Sequence, residues 1–242
     1  MASDFTMAAG LNEFRIGNVF SRTFNLLSRY AAVPLMASFI QHIPNLQMLA
    51  SAPTPRTSGL IFFKTMLGLL AYILMQPVTY HATSEAIQGR QVGYGEAIRY
   101  ALRRFFPGLG TELCVGVVAG AGLVLLIVPG IMVAVAFAVA FPVCVIEQQG
   151  PFASLRRSRA LTKGNRWKIC GIYLVMLIVG VVVVGIASII GRSLGAQVGG
   201  FVSVIMQIVT SAFSGVLFTV IYHDLRAARE GLDTNRLAAV FD

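Results

Sequence analysis

The sequence has few charged residues and few of the side chains that carry out catalysis. Only 12% of its 242 residues are charged, and it contains three histidines, three cysteines and one tryptophan. Its mean hydropathy is +0.76, so the chain lacks the polar surface that a soluble globular protein of this length requires. The composition therefore excludes a soluble globule and predicts an integral membrane protein.

Signatures of enzymes and metal sites are also missing. The chain contains no GxSxG, HExxH or Walker sequence, and its cysteines show no CxxC or metal-ligand spacing. The nearest hint of chemistry is His81, which has an acid four residues later in Glu85. This pair does not support a catalytic assignment. We therefore predict no catalytic residues, no metal and no cofactor, and an intramembrane enzyme is the least favoured alternative.

The positive charge of the chain is regularly arranged. Sixteen of the nineteen Lys and Arg residues lie in four stretches that alternate with nearly uncharged turns. These stretches contain Arg15, Arg22 and Arg29; Arg90, Arg99, Arg103 and Arg104; Arg156, Arg157, Arg159, Lys163, Arg166 and Lys168; and Arg226, Arg229 and Arg236. Because short loops rich in Lys and Arg stay in the cytoplasm, the arrangement predicts six spans with both termini inside.

Six apolar runs fit this topology, since a helix needs ~20 apolar residues to cross the hydrocarbon. They cover about residues 31–50, 59–83, 109–128, 131–146, 169–191 and 199–222. The fourth run is short, and the first is interrupted by Gln41, His42, Pro44 and Asn45. We expect either of these two to be tilted, kinked or only partly embedded.

Proline and glycine suggest how the spans pack. Pro129 and Gly130 alone separate the third and fourth runs, which predicts a tight hairpin between antiparallel neighbours. Small residues allow helices to approach closely within a membrane. The candidates are Gly116, Gly120, Gly122, Gly180, Gly185, Gly191 and Gly195. We favour packing within one chain over dimerisation, and the sequence leaves the oligomeric state open.

Three segments, at residues 14–29, 94–106 and 151–162, have apolar side chains at three- and four-residue spacing and basic side chains elsewhere. In the third, Pro151 suits a first helical turn and Gly164 suits a helix end. Each segment precedes an outgoing span, so we expect helices that lie in the cytoplasmic interface. The predicted fold is a single all-α domain over residues 1–242, with six transmembrane helices and three interfacial amphipathic helices in a pseudo-threefold repeat.

The basic side chains lie beside apolar spans, so anionic lipid is a nearer partner for them than nucleic acid. We predict no binding of nucleic acid. The predicted headgroup-binding residues are Arg22, Arg99, Arg103, Arg104, Arg156, Arg157 and Arg159. A second membrane protein is the other partner that such a surface would suit.

Polar residues inside the spans are functional candidates because they are costly there. The predicted polar cavity consists of Gln41, Gln76, His81, Glu85 and Gln207. Glu85, Glu112 and Glu147 lie near the inner ends of spans. We expect these carboxylates to pair with arginines, and a charged vestibule for a ligand is the alternative.

Three segments carry a family resemblance: FRIGNVFSRTFNLLSRY near the start, the run from Val128 to Lys168, and YHDLRAAREGLD near the end. Together they resemble the membrane-domain family named after glycerophosphoryl diester phosphodiesterases, which includes stand-alone bacterial inner-membrane proteins. The matching positions are Pro129, Gly130, Gly150, Leu155, Ser158, Leu161, Thr162, Gly164, Tyr222, Asp224, Leu225, Arg226, Glu230, Gly231 and Asp233. The resemblance implies a module of the bacterial cytoplasmic membrane. In fused members hydrolysis belongs to a separate soluble barrel, which this chain has no room for, so the resemblance does not imply phosphodiesterase activity here.

The leading hypothesis is a non-catalytic protein that binds anionic lipid and organises the inner leaflet or scaffolds a membrane partner. The alternative is a transporter or channel for a lipid-like or small amphipathic substrate, using the polar residues of spans one, two and six. At the inner rim we expect Asp224 to pair with an arginine of an interfacial helix.

Overall fold

The structure is a computed structural model that describes residues 14–50, 58–125 and 127–241. These residues form α-helices joined by short connections, and no strand occurs among them. The helices are α1 (Ile16–Tyr30), α2 (Ala32–Ala50), α3 (Ser58–Ile87), α4 (Tyr94–Leu125), α5 (Ile127–Ala136), α6 (Ala140–Ile146), α7 (Pro151–Thr162), α8 (Arg166–Leu194) and α9 (Ala196–Phe241). Arg56 lies outside the described part, as do the side chains of Lys64, Asp233 and Arg236 and the surroundings of Gly231.

Four helical segments of the described chain are long enough and apolar enough to cross a membrane. They are Tyr94–Gly122, Val128–Ile146, Arg166–Leu194 and Gln197–Glu230. Large apolar side chains such as Leu177 and Val181 point outward from α8, where both are more than 60% exposed. An apolar outer surface of this kind suits hydrocarbon and not water. The protein is therefore an all-helical membrane protein.

The segment at 94–106 does not form a helix of its own. It continues past Pro107 into the following apolar run, so that both belong to α4. Ala97 and Ala101 are fully buried against α2 and α3, and this packing holds the basic segment in line with the apolar one. Pro107 lacks an N–H and removes only one backbone hydrogen bond from the helix.

The fourth apolar run is kinked, which is one of the outcomes that we expected. Its helix stops at Ala136 and resumes at Ala140, with Pro142 in the first turn of α6. The carbonyl of Ala136 accepts hydrogen bonds from the hydroxyls of Ser158 at 3.0 Å and Thr162 at 3.2 Å. Side chains of α7 thus satisfy a backbone oxygen at the break, as a membrane interior requires.

Ser158 contributes stability through this bond. We expect Ser158→Ala to lower the free energy of unfolding by about 1 kcal/mol, because the Ala136 carbonyl keeps only Thr162 as a donor. Ser188→Ala is the control, since that exposed hydroxyl bonds only to its own helix. Thermal unfolding in detergent measures both variants, and equal melting temperatures would contradict the assignment.

The hairpin prediction at Pro129 and Gly130 was wrong in its position. Both residues lie inside α5, which begins at Ile127. Pro129 fits there because N–H groups in a first helical turn have no partner to lose. The two helices are nevertheless close antiparallel neighbours: a Cβ on Gly122 would lie 3.1 Å from the Cα of Gly130. Small residues allow this approach.

Helix α9 runs along the centre of the fold and contacts α1, α2, α3 and α8. Leu217, Ile221 and Tyr222 are completely buried in a core shared with Val19 of α1 and Leu161 of α7. Helix α7 begins at Pro151 and ends before Gly164, whose φ of +93° suits glycine. Both bounds agree with the sequence prediction. The core fixes the ends of α1, α6, α7 and α9 beside one another, where the charged residues gather.

Candidate functional site

Five side chains, from α7, α9 and the residue directly after α6, form a closed network of polar contacts, which we call the charged ring. Its members are Glu147, Arg157, Glu230, Arg226 and Tyr222. The guanidinium of Arg157 donates to Glu147 at 3.1 Å and to Glu230 at 2.9 Å. Arg226 donates to Glu230 at 2.9 Å and to the Tyr222 hydroxyl at 3.3 Å. The hydroxyl of Tyr222 donates in turn to Glu147 at 3.0 Å, which closes the ring.

Local structure explains this arrangement. Tyr222, Arg226 and Glu230 follow one another at four-residue spacing on α9 and therefore share a face. Glu147 lies directly after α6, where Gln149 also donates to it at 2.9 Å. Burial alone would lower the pKa of Arg157, but its bonds to the two carboxylates raise that pKa above its ordinary value. Two acids balance two arginines, so the ring holds helices together and presents no net charge to a ligand.

A second ion pair fixes α1 to the same rim. Arg22 of α1 pairs with Asp224 of α9, which is the kind of pairing that we expected for this aspartate. Nearby, the guanidinium of Arg229 donates to the backbone carbonyl of Lys163 at 3.0 Å. Helix α9 is thereby connected through polar contacts to both α1 and the end of α7.

Beside the charged ring, the connection between α7 and α8 forms a basic pocket of about 580 Å³. Four cationic side chains line it, together with Met132 and Trp167: Arg156, Arg159, Lys163 and Arg166. The indole of Trp167 is 76% exposed. The pocket thus combines positive charge with an apolar edge at the end of an apolar helix.

Helical spacing separates the pocket from the ring. Arg156, Arg159 and Lys163 are three and four residues apart and share one face, whereas Arg157 points to the other. No carboxylate of the described residues lies within ion-pair distance of the four cations of the pocket. The Nε of Arg166 is buried and has no hydrogen-bond partner there. Unlike the ring, the pocket therefore carries uncompensated positive charge.

The other predicted headgroup residues are distributed differently. Arg99 and Arg103 are exposed on α4, away from the basic pocket. Arg104 donates to the side-chain oxygen of Gln148 at 2.6 Å. Arg22 and Arg157 are engaged in the ion pairs described above. Of the seven arginines, only Arg156 and Arg159 thus come together in the basic pocket.

The predicted polar cavity is only partly assembled. Gln76 and Gln207 line one open cleft of about 320 Å³, together with His42, but Gln41 does not line it. His81 instead stacks on Tyr100, with ring centroids 3.9 Å apart. Glu85 pairs with Arg90 at 2.7 Å, and we find no hydrogen bond between His81 and Glu85. We call the space lined by Gln76, Gln207 and His42 the polar cleft.

Sequence reasoning missed several members of these sites. Lys163, Arg166 and Trp167 belong to the basic pocket, and Glu230 to the charged ring. Glu147 was expected to pair with an arginine, and it does so with Arg157. The three- and four-residue spacing of Arg156, Arg159 and Lys163 could have predicted their shared face. Nothing in the sequence indicates that Tyr222 reaches Glu147, because the two are 75 positions apart.

Among the residues that the structure describes, no group of three His, Cys, Asp or Glu side chains could hold a metal ion. Comparison with known proteins gave one match. No curated protein and no solved structure matches the chain. The model of a family described as "Domain of unknown function (DUF7847)" matches residues 92–228, which is more than half of the 242 residues. This range contains the entire basic pocket and every member of the charged ring except Glu230. The chain belongs to that family.

Proposed function

We propose that the protein is a non-catalytic membrane protein that binds the headgroup of an anionic phospholipid in the basic pocket. The observation that carries this proposal is a set of four cations that have no carboxylate partner among the described residues: Arg156, Arg159, Lys163 and Arg166. Binding there would organise the lipid of the inner leaflet or attach a membrane partner to it.

The chemistry of the pocket suits a phosphate group. Guanidinium groups bind phosphate oxygens in a bidentate manner, and the buried Nε of Arg166 needs an acceptor. Trp167 is an exposed amphipathic ring of the type enriched at membrane interfaces. The apolar outer face of α8 begins within two helical turns of it, at Tyr173 and Leu174, and offers a surface for the acyl chains.

The proposed topology places the pocket in the cytoplasm. Six spans would comprise α2, α3, the apolar part of α4, α5 with α6, α8, and the apolar part of α9. Both termini and the basic rim would then face the cytoplasm, and α1, the start of α4 and α7 would lie near the interface in pseudo-threefold order. The resemblance to the membrane domains of glycerophosphoryl diester phosphodiesterases supports a place in the bacterial inner membrane.

The double variant Arg156→Gln/Arg159→Gln tests the proposal. Each Lys or Arg near an anionic surface contributes about 1 kcal/mol, so we expect roughly 30-fold weaker binding of phosphatidylglycerol. The measurement is native mass spectrometry of the detergent-purified chain, titrated with dioleoylphosphatidylglycerol at two salt concentrations.

Arg99→Gln/Arg103→Gln is the matched control, because it removes the same charge from exposed positions outside the pocket. We expect it to weaken binding only a few-fold. Equal losses in both double variants would indicate diffuse attraction to the rim and contradict a pocket. No retained anionic lipid in the wild type would overturn the proposal.

A further inference from the structure

The polar cleft lies between α2, α3 and α9, and its residues differ from those of the basic pocket. Gln76 is eleven residues from the end of α3 at Ile87, which corresponds to about 16 Å along the helix axis. Gln207 is ten residues, about 15 Å, from the start of α9's apolar segment Gln197–Glu230. Since the hydrocarbon core is about 30 Å thick, the cleft is close to the middle of the proposed membrane.

One polar atom in the cleft has no partner in the described structure. The side chain of Gln76 is 6% exposed, and its Oε1 accepts no hydrogen bond. An unsatisfied oxygen in a hydrocarbon environment costs free energy. A hydroxyl donor in the cleft would remove this cost.

Other side chains extend the same pattern. The Nδ1 of His42 lies 2.8 Å from the Ser38 carbonyl. Since a carbonyl can only accept, Nδ1 is the donor, and Nε2 can accept a hydrogen bond from another partner. The amide nitrogen of Gln207 donates to the Ser203 hydroxyl at 2.9 Å, and its carbonyl oxygen can accept a hydrogen bond from a ligand. The phenols of Tyr72 and Tyr80 also line the cleft and can donate. The cleft thus presents acceptors and donors to a ligand.

The lining also excludes a charged ligand. No Asp, Glu, Lys or Arg is among the described residues that line the cleft; Glu112 acts electrostatically on Tyr72 and Tyr80 but does not line it. A phosphate group would be desolvated there without a cation beside it, and an ammonium group would have no carboxylate in contact, which is unfavourable in both cases. Uncharged hydroxyl groups match the neutral donors and acceptors, and the depth of the cleft favours a ligand that arrives through the hydrocarbon.

We propose that the polar cleft binds the uncharged, hydroxyl-bearing headgroup of a neutral lipid, whose hydroxyl donates to Gln76. The headgroup would lie between α3 and α9, and the acyl chains would leave through the open side of the cleft. This site is separate from the anionic site, so the protein would bind two chemically different lipids.

Thermal unfolding of the full chain in detergent tests the proposal, with 1,2-dioleoylglycerol as the probe. We expect the probe to raise the melting temperature of the wild type by about 2–4 °C, since a ligand stabilises the state that binds it. Gln76→Leu should abolish this shift, and without the probe it should melt at the same temperature as the wild type or higher, because an unpartnered oxygen is removed.

Gln41→Leu is the matched control, as Gln41 lies one residue from His42 but outside the cleft, and it should keep the full shift. Tyr72→Phe removes one hydroxyl only and provides the test if Gln76→Leu does not fold; it should reduce the shift. No shift in the wild type, or an undiminished shift in both Gln76→Leu and Tyr72→Phe, would overturn the proposal. An equal shift with free glycerol at the same concentration would overturn the assignment to a lipid.

Discussion

Glu147→Ala is expected to lower the free energy of unfolding by about 3 kcal/mol. The substitution removes the acceptor of Tyr222 and one of the two carboxylates that hold Arg157. The Glu147 side chain is only 12% exposed, and loss of one partner from a largely buried ion pair costs more than the pair itself contributes. Tyr222, which is completely buried, would keep only Arg226, a donor, beside its hydroxyl.

The effect is measured as the melting temperature in detergent and as the yield of folded protein from membranes. Glu85→Ala is the control, because its partner Arg90 is 69% exposed, and exposed ion pairs contribute less than about 1 kcal/mol. A Glu147 variant as stable as the Glu85 variant would show that the ring does not hold α6, α7 and α9 together.

Gly199→Ala is the second substitution with a large expected effect. A Cβ at this position would lie 2.4 Å from the Cα of Gly191 and 2.9 Å from the carbonyl oxygen of Ala187. These atoms belong to the backbone of α8 and cannot rotate away, so the two helices must separate. We expect the free energy of unfolding to fall by about 2–3 kcal/mol, which is at the upper end of the range for overpacked cores.

Gly180→Ala, also on α8, is a control for which we expect the opposite change in stability. Nothing lies within 4 Å of a Cβ at Gly180, and alanine favours a helix over glycine by up to about 1 kcal/mol. The melting temperature should therefore rise or stay constant for Gly180→Ala and fall for Gly199→Ala. A fall of similar size in both would mean that glycine acts through helix flexibility and not through close packing.

Local and compositional features could be predicted from the sequence because they depend on neighbouring residues. Low charge and long apolar runs indicated a helical membrane protein. Pro151 and Gly164 marked the bounds of α7 because they act on their own backbone. The prediction that Asp224 pairs with an arginine of one of the three basic segments followed from the cost of leaving a carboxylate alone at the rim, although the sequence did not identify Arg22 of α1 as the partner.

Features that depend on tertiary packing were not predictable. The continuation of α4 past Pro107 is set by the burial of Ala97 and Ala101 against other helices. The placement of Pro129 and Gly130 inside α5 accompanies close packing of Gly130 against Gly122 of α4. The side chain of Arg157 was expected to face lipid, yet it turns toward Glu147 and Glu230, since one residue along a helix rotates a side chain by about 100°.

Helix α9 is continuous from Ala196 to Phe241, so it places Gln207 of the polar cleft and Arg226 of the charged ring on one rigid rod. The two positions are nineteen residues apart, about 28 Å along its axis. A rotation of this rod that widened the cleft would also move Tyr222 and Glu230, which lie on the same helix, and strain their bonds to Glu147 and Arg157. The contacts at the rim therefore limit how far the interior of the membrane domain can open.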